Sequence, residues 1–125
     1  MSTPQLPPVP VARVVRPRRL RTSAPMRRLV AETHVVPAQL VLPLFVREGA
    51  TAPVPITSMP GQVQHSRDSL LAAVAAAAGA GLGGVMIFGV PTSRDAVGSG
   101  ATEPDGVLNR AVRDVVAEIG DALVV

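Results

Sequence analysis

Cysteine is absent from this chain of 125 residues, and so is lysine. Without cysteine, neither a disulfide framework nor a thiolate-bound metal can form within it. Without lysine, Schiff-base catalysis has no amine to use, because all twelve basic residues are arginine. Tryptophan and tyrosine are missing as well, leaving two phenylalanines in a sequence that is 47% hydrophobic. Its apolar content is mostly Ala, Val and Leu. No apolar run approaches the roughly 20 residues that span a bilayer. The Pro-rich beginning also lacks the apolar centre of a signal peptide. These absences lead us to expect one modest domain in the cytoplasm, with no membrane partner.

Charge is unevenly placed. Residues 1–31 hold seven Arg and no acid, while Glu32 onward holds five Arg against nine Asp and Glu, a balance of −4. The overall +3 therefore describes an arm rather than a domain. MSTPQLPPVPVARVV is proline-rich without helical period, which predicts an extended or disordered arm over 1–22. Within it lies RPRRLR, bearing Arg16, Arg18, Arg19 and Arg21. Such a cluster can contact nucleic acid, pair with acids on a neighbouring subunit, or stay solvated. No aromatic residues interleave with it and no further basic segment follows, so we expect no nucleic-acid partner.

Beyond the arm, periodicity predicts a β-α-β-α-β order and hence an α/β fold with a parallel sheet. Ser23 caps a short helix, APMRRLVAET (24–33). LVLPLFV (40–46) is an unalternating apolar run suited to a strand buried on both faces, although Pro43 removes one ladder donor. SMPG (58–61) signals a turn. SRDSLLAAVAAAAGAG (66–81) reads as a helix capped by Ser66, with Asp68 favoured in its first turn. LGGVMIFGV (82–90) reads as a second strand. After the polar loop PTSRDAVGSGATEPDG, apolar positions at three-and-four spacing predict a helix over 105–119. ALVV (122–125) begins a third strand.

GAGLGG (79–84) fits the G-x-G-x-x-G spacing of a dinucleotide cradle. That fingerprint belongs after a strand and before a helix, where amide groups face the phosphates. Here it closes a helix and opens a strand, so Gly79 and Gly81 read as a helix stop, and Gly83 and Gly84 as the start of a strand that lies close to its neighbours. A nucleotide-binding α/β domain using 79–84 stays open only as an alternative. So does a small binding protein that uses the Arg arm on nucleic acid or protein. His34, expected at a helix end, and His65, in the turn before a helix, lack ligand spacing. Ser99 lacks a nucleophile elbow, and Asp95, Glu103 and Asp105 share a loop without a calcium-ligand pattern. The residues supply no catalytic set and no metal ligands.

RPRRLRTS, MRRLVAET, LVLPLFVREG, SMPG, VMIFGV and PDG occur in order and at the spacings of porphobilinogen synthase, also called δ-aminolevulinic acid dehydratase. The resemblance runs from about Arg16 to Val125. It implies the first three strands and two helices of a (β/α)8 TIM barrel over 23–125, cut off in or after the third strand and preceded by an N-terminal arm. It also implies a lyase of haem biosynthesis that condenses two 5-aminolevulinate molecules to porphobilinogen, and a homo-oligomer, commonly an octamer. Arg16, Arg18, Arg19 and Arg21 then become arm residues docking on a neighbouring subunit. In the family, two lysines on later strands hold the substrates, and a Cys- or Asp-rich segment binds zinc or supports a magnesium-dependent variant. This sequence contains neither, so it is expected to be an inactive N-terminal piece. Phe88, near the carboxyl end of the second strand, is the one residue placed near the substrate pocket; plain core packing is its other reading.

Overall fold

The computed structural model describes residues 18–125, and the chain divides at His34/Val35 into two units. In the first unit, Arg19–Arg21 form a 3-10 turn. Helix α1 (Ala24–Leu29) follows, its Ser23 hydroxyl accepting from the Met26 amide at 3.2 Å. The helix expected over 24–33 thus stops at Leu29. None of its residues is buried, and so short a helix without a packed face has little to extend it. His34 consequently lies in irregular chain past the helix rather than at its end. Residues 1–17, Arg16 among them, lie outside the described residues.

The second unit holds a four-stranded mixed sheet, ordered β2 (Val54–Pro55), β3 (Val63–His65), β1 (Val41–Arg47), β4 (Gly84–Val90). Strands β1 (Val41–Arg47) and β4 (Gly84–Val90) run parallel over seven pairs, from Val41↔Gly84 to Arg47↔Val90. The 47–65 connection, expected to hold only a turn, contains two short strands, β2 (Val54–Pro55) and β3 (Val63–His65). Strand β3 pairs parallel to β1 through Phe45↔Gln64 and Val46↔His65, and β2 pairs antiparallel to β3. At two and three residues they are too brief to leave a periodic trace. The turn joining them holds Pro60 and Gly61 in its central positions. Gly61 has φ +84° and the Gln62 amide donates to the Met59 carbonyl, which is type II geometry.

Pro43 sits inside β1 at no cost in ladder bonds. The Leu40 carbonyl and Glu48 amide both bond on the β4 side. By two-residue alternation, position 43 faces the β3 side instead. Pairing with β3 begins only at Phe45, so no partner awaits the missing donor.

Helices α2 (Arg67–Gly79) and α3 (Val107–Ile119) cover one sheet face. In α2, Leu70, Val74 and Ala77 are buried; in α3, the stripe Val107, Ala111, Val115 and Ile119 turns inward. They pack on Leu44, Val46 and Val85. Ser66 caps α2 as expected, accepting from the Ser69 amide. Of the third strand expected over 122–125, Ala122 belongs to a 3-10 turn (Gly120–Ala122) and Val124 makes a single parallel bridge to Gly84.

The GAGLGG joint separates its glycines by role. Gly79 is the last helical residue, with ordinary φ and open space around it, so it is not itself the stop. Gly81 takes φ +73°, the left-handed conformation that ends the helix. At Gly83 a Cβ would run into the Ala38 carbonyl, and at Gly84 it would come within 2.8 Å of the Val124 carbonyl oxygen.

Candidate active-site face

Alternation along two parallel strands in register divides the sheet cleanly. Leu42, Leu44, Val46, Val85, Ile87 and Gly89 face the helices, while Val41, Pro43, Phe45 and Arg47 stand beside Gly84, Met86, Phe88 and Val90 on the other face. Within the second unit no helix covers that second face. Met86 is 53% exposed and Phe88 43%. Phe88 is therefore not a core residue. Its ring stacks on that of its register partner Phe45, with centroids 5.3 Å apart and planes 23° apart. Toward the carboxyl end, the Arg47 guanidinium donates to the Gln64 side-chain oxygen at 3.3 Å.

Two loops leave this end of the sheet, and side chains tie them together. The Glu48 carboxylate accepts from the Thr92 amide at 2.8 Å and from the Thr92 hydroxyl at 2.9 Å. These two donors, and then Arg110, hold its pKa below the ordinary 4.5. Behind the loops, a cavity of about 290 Å³ is bordered by Val46, Glu48, Arg67, Leu70, Arg110 and Asp114. Arg67 Nε donates to Asp114 across α2 and α3 at 2.6 Å, and that bond lowers the Asp114 pKa. His65 ends β3 rather than lying in a turn, with Nδ1 3.1 Å from the Ser69 hydroxyl. Partial burial pushes its pKa down.

GAGLGG offers no cradle. The amides of Ala80, Gly81, Leu82, Gly83 and Gly84 donate to the carbonyls of Ala76, Ala78, Ala77 and, for the last two, Leu40. All five are spent inside the fold, and no helix begins there. Arg18, Arg19 and Arg21 are exposed in the first unit. No three His, Cys, Asp or Glu side chains gather as a metal site among the described residues, and none of the described helices is long and apolar enough to cross a membrane. Strand position in the sequence singles out Phe88 but not Phe45, Arg47, Glu48, Gln64 or Thr92. The signal for Phe45 was present: LPLFV and VMIFGV carry Phe at equivalent places, and parallel pairing in register makes such residues neighbours.

A mixed sheet whose two long strands run parallel, with helices on one face and an apolar, exposed second face, fits the opening portion of a (β/α)8 barrel. The family profile described as Delta-aminolevulinic acid dehydratase matches residues 14–125, and the chain belongs to that family. It is 58% identical to the Delta-aminolevulinic acid dehydratase of Streptomyces coelicolor over 112 residues, covering 88% of this chain and 34% of that protein. Against the Mycobacterium tuberculosis (strain H37Rv) protein of the same name it is 58% identical over 111 residues, covering 87% and 34%. A crystal structure of delta-aminolevulinic acid dehydratase (porphobilinogen synthase) from Toxoplasma gondii ME49, in complex with the reaction product porphobilinogen, superimposes with a TM-score of 0.80 at 36% identity. It covers 90% of this chain and 32% of that one. The chain thus spans about a third of the length of these relatives.

Proposed function

We propose that this chain supplies the opening strands and crossover helices of a porphobilinogen synthase, which condenses two 5-aminolevulinate molecules to porphobilinogen in haem biosynthesis. The observation that carries this reading is the family match over residues 14–125, to which the likeness to a product-bound relative adds weight. The uncovered sheet face is the wall of the barrel interior, and its carboxyl end is the substrate side. Phe88 and Phe45 line the pocket there. Their stacked rings give that wall an apolar surface, while Arg47, hydrogen-bonded to Gln64, gives the rim a cation.

Alone, the chain is inactive. Its sequence has no lysine to form a Schiff base with either substrate. Zinc or magnesium serves the whole enzyme, supplying a Lewis acid when bound, but the residues here do not fit such an ion. There is no cysteine, and no group of three ligating side chains occurs among the described residues. Metal and lysines belong to the two thirds of the relatives that this chain does not span. The working enzyme is a cytoplasmic homo-octamer, in which Arg16, Arg18, Arg19 and Arg21 dock on a neighbouring subunit. Supporting this is the contrast between seven Arg without an acid in 1–31 and the −4 balance of the rest.

A chimera tests the reading. The matching third of the Streptomyces coelicolor relative is replaced by this chain, and porphobilinogen formation from 5-aminolevulinate is assayed with zinc and with magnesium. The chimera is expected to make porphobilinogen, and the 125-residue chain by itself to make none. A folded, inactive chimera, or an active isolated chain, would overturn the proposal.

A further inference from the structure

Residues 91–106 form the long polar loop between β4 and α3, and nearly every side chain in it is exposed. An exposed loop of small polar residues has no apolar burial to shape it, so its shape must come from specific bonds. At its far end, the Asn109 amide on α3 donates to the Ala101 carbonyl at 3.1 Å and the Glu103 carbonyl at 2.6 Å. Arg113, one turn on, reaches Asp105 at 3.0 Å. In the middle, the Asp95 carboxylate accepts from both the amide and the hydroxyl of Ser99. These ties are local to the loop and its following helix. One tie reaches the turn that follows β1: the two bonds from Thr92 to Glu48, 44 residues away in sequence. The Glu48 amide donates in turn to the Val90 carbonyl at 3.0 Å. Glu48 thus holds the departing β4 chain from both sides of one residue, by backbone and by carboxylate.

We propose that Glu48 is a positioning residue: its ionised carboxylate grips Thr92 and sets where loop 91–106 leaves the carboxyl end of the sheet. The consequence for catalysis rests on the reading of that end as the substrate side. Charge strengthens the grip, because both Thr92 bonds end on one carboxylate oxygen and charge-assisted bonds are the stronger kind. The groups around it agree. Arg110 of α3 borders the same cavity and favours the anion, Arg47 lies next to it at the end of β1, and Arg67 is already paired with Asp114. Both Thr92 donors meet one oxygen, Glu48 Oε2, so protonating the carboxyl removes the charge assistance from both bonds at once and weakens them. The loop would then be held less firmly to the end of β1, where the bond from the Glu48 amide to the Val90 carbonyl persists.

The test uses the intact 125-residue chain and needs neither substrate nor metal, so it can fail or succeed whatever becomes of the enzymatic reading. Nuclear magnetic resonance follows the Thr92 amide as pH is lowered. Its shift is expected to titrate with a midpoint below that of ordinary glutamate, and this titration should vanish in Glu48→Gln. Trypsin cleavage at Arg94, inside the loop, should accelerate roughly two- to fivefold in Glu48→Gln, the range expected for losing an exposed charged contact. Thr92→Ser keeps both donors and should behave as the unaltered chain. Unchanged resonances of Val74 and Val115 verify that the core is intact in each variant. A Thr92 amide indifferent to pH in the unaltered chain overturns the proposal without any variant. So does a Glu48→Gln chain that keeps both the amide position and the cleavage rate.

Discussion

Phe45 and Phe88 face each other across the β1–β4 ladder as register partners, their ring centroids 5.3 Å apart. The contact follows from parallel pairing: strands that start together at Val41 and Gly84 bring their fifth residues side by side. Offset aromatic pairs contribute about 0.5–1.5 kcal/mol beyond area burial. Because this pair lies on an uncovered face, Phe88→Ala is expected to cost little more than that interaction. Equilibrium unfolding in urea measures it, and a double-mutant cycle with Phe45→Ala should return a coupling of the same size. A loss several times larger would place Phe88 in the core instead.

Leu70 is the contrasting case, at 1% exposed on the inner side of α2. It packs with Val74, Leu44 and Val46 in the layer between sheet and helices. Leu70→Ala leaves a cavity where no side chain can relax freely, and should cost about 2–5 kcal/mol. The same urea experiment checks it. The order Leu70→Ala well above Phe88→Ala is the outcome that distinguishes the two faces of the sheet.

How far the sequence discloses this arrangement depends on the element. β1, β4, α2 and α3 announce themselves, since seven-residue apolar runs and 13-residue helices carry enough period to be read. β2 and β3 do not, because Val54–Pro55 and Val63–His65 are held by tertiary pairing rather than by local pattern. Phe88 could be found from its place in a strand. Glu48 and Thr92 could not, because each is an ordinary polar loop residue until the parallel ladder sets the end of β1 beside the end of β4. The ending of α1 at Leu29 was equally hidden, since helix propensity says nothing about whether a surface waits to bury the helix.

The glycines of GAGLGG give three different expected outcomes from one substitution. At Gly79, φ is ordinary and no atom lies within 4 Å of an added Cβ; alanine there should stabilise by about 0.4–1 kcal/mol. At Gly81 space is equally open, but φ is +73°, so alanine should cost about 1–2 kcal/mol in backbone strain. At Gly83 the added carbon meets the Ala38 carbonyl, which is backbone and cannot swing aside. Gly83→Ala should therefore be the worst, at about 1–3 kcal/mol or more. Thermal or urea unfolding of the three variants reads the order directly. Equal effects at all three would contradict the separation of roles.

Acidification should weaken the fold in two stages. Burial sets the His65 pKa below its ordinary 6.5 in the folded chain, so the unfolded chain takes up that proton first as pH falls. Stability is then whole above about pH 6.5 and is lost as pH drops toward the depressed folded value. Glu48 and Asp114 have pKa values lowered from 4.5 and 3.8 by Thr92 and Arg67 respectively. Their contributions are present above those ordinary values and are lost as pH falls through the lower, folded ones. Urea midpoints measured from pH 8 to pH 3 should show a first decline starting near 6.5 and a second below 4.5. In His65→Asn, whose amide can still meet the Ser69 hydroxyl, the first decline should flatten while the second persists. Persistence of the first decline in that variant would remove His65 as its cause.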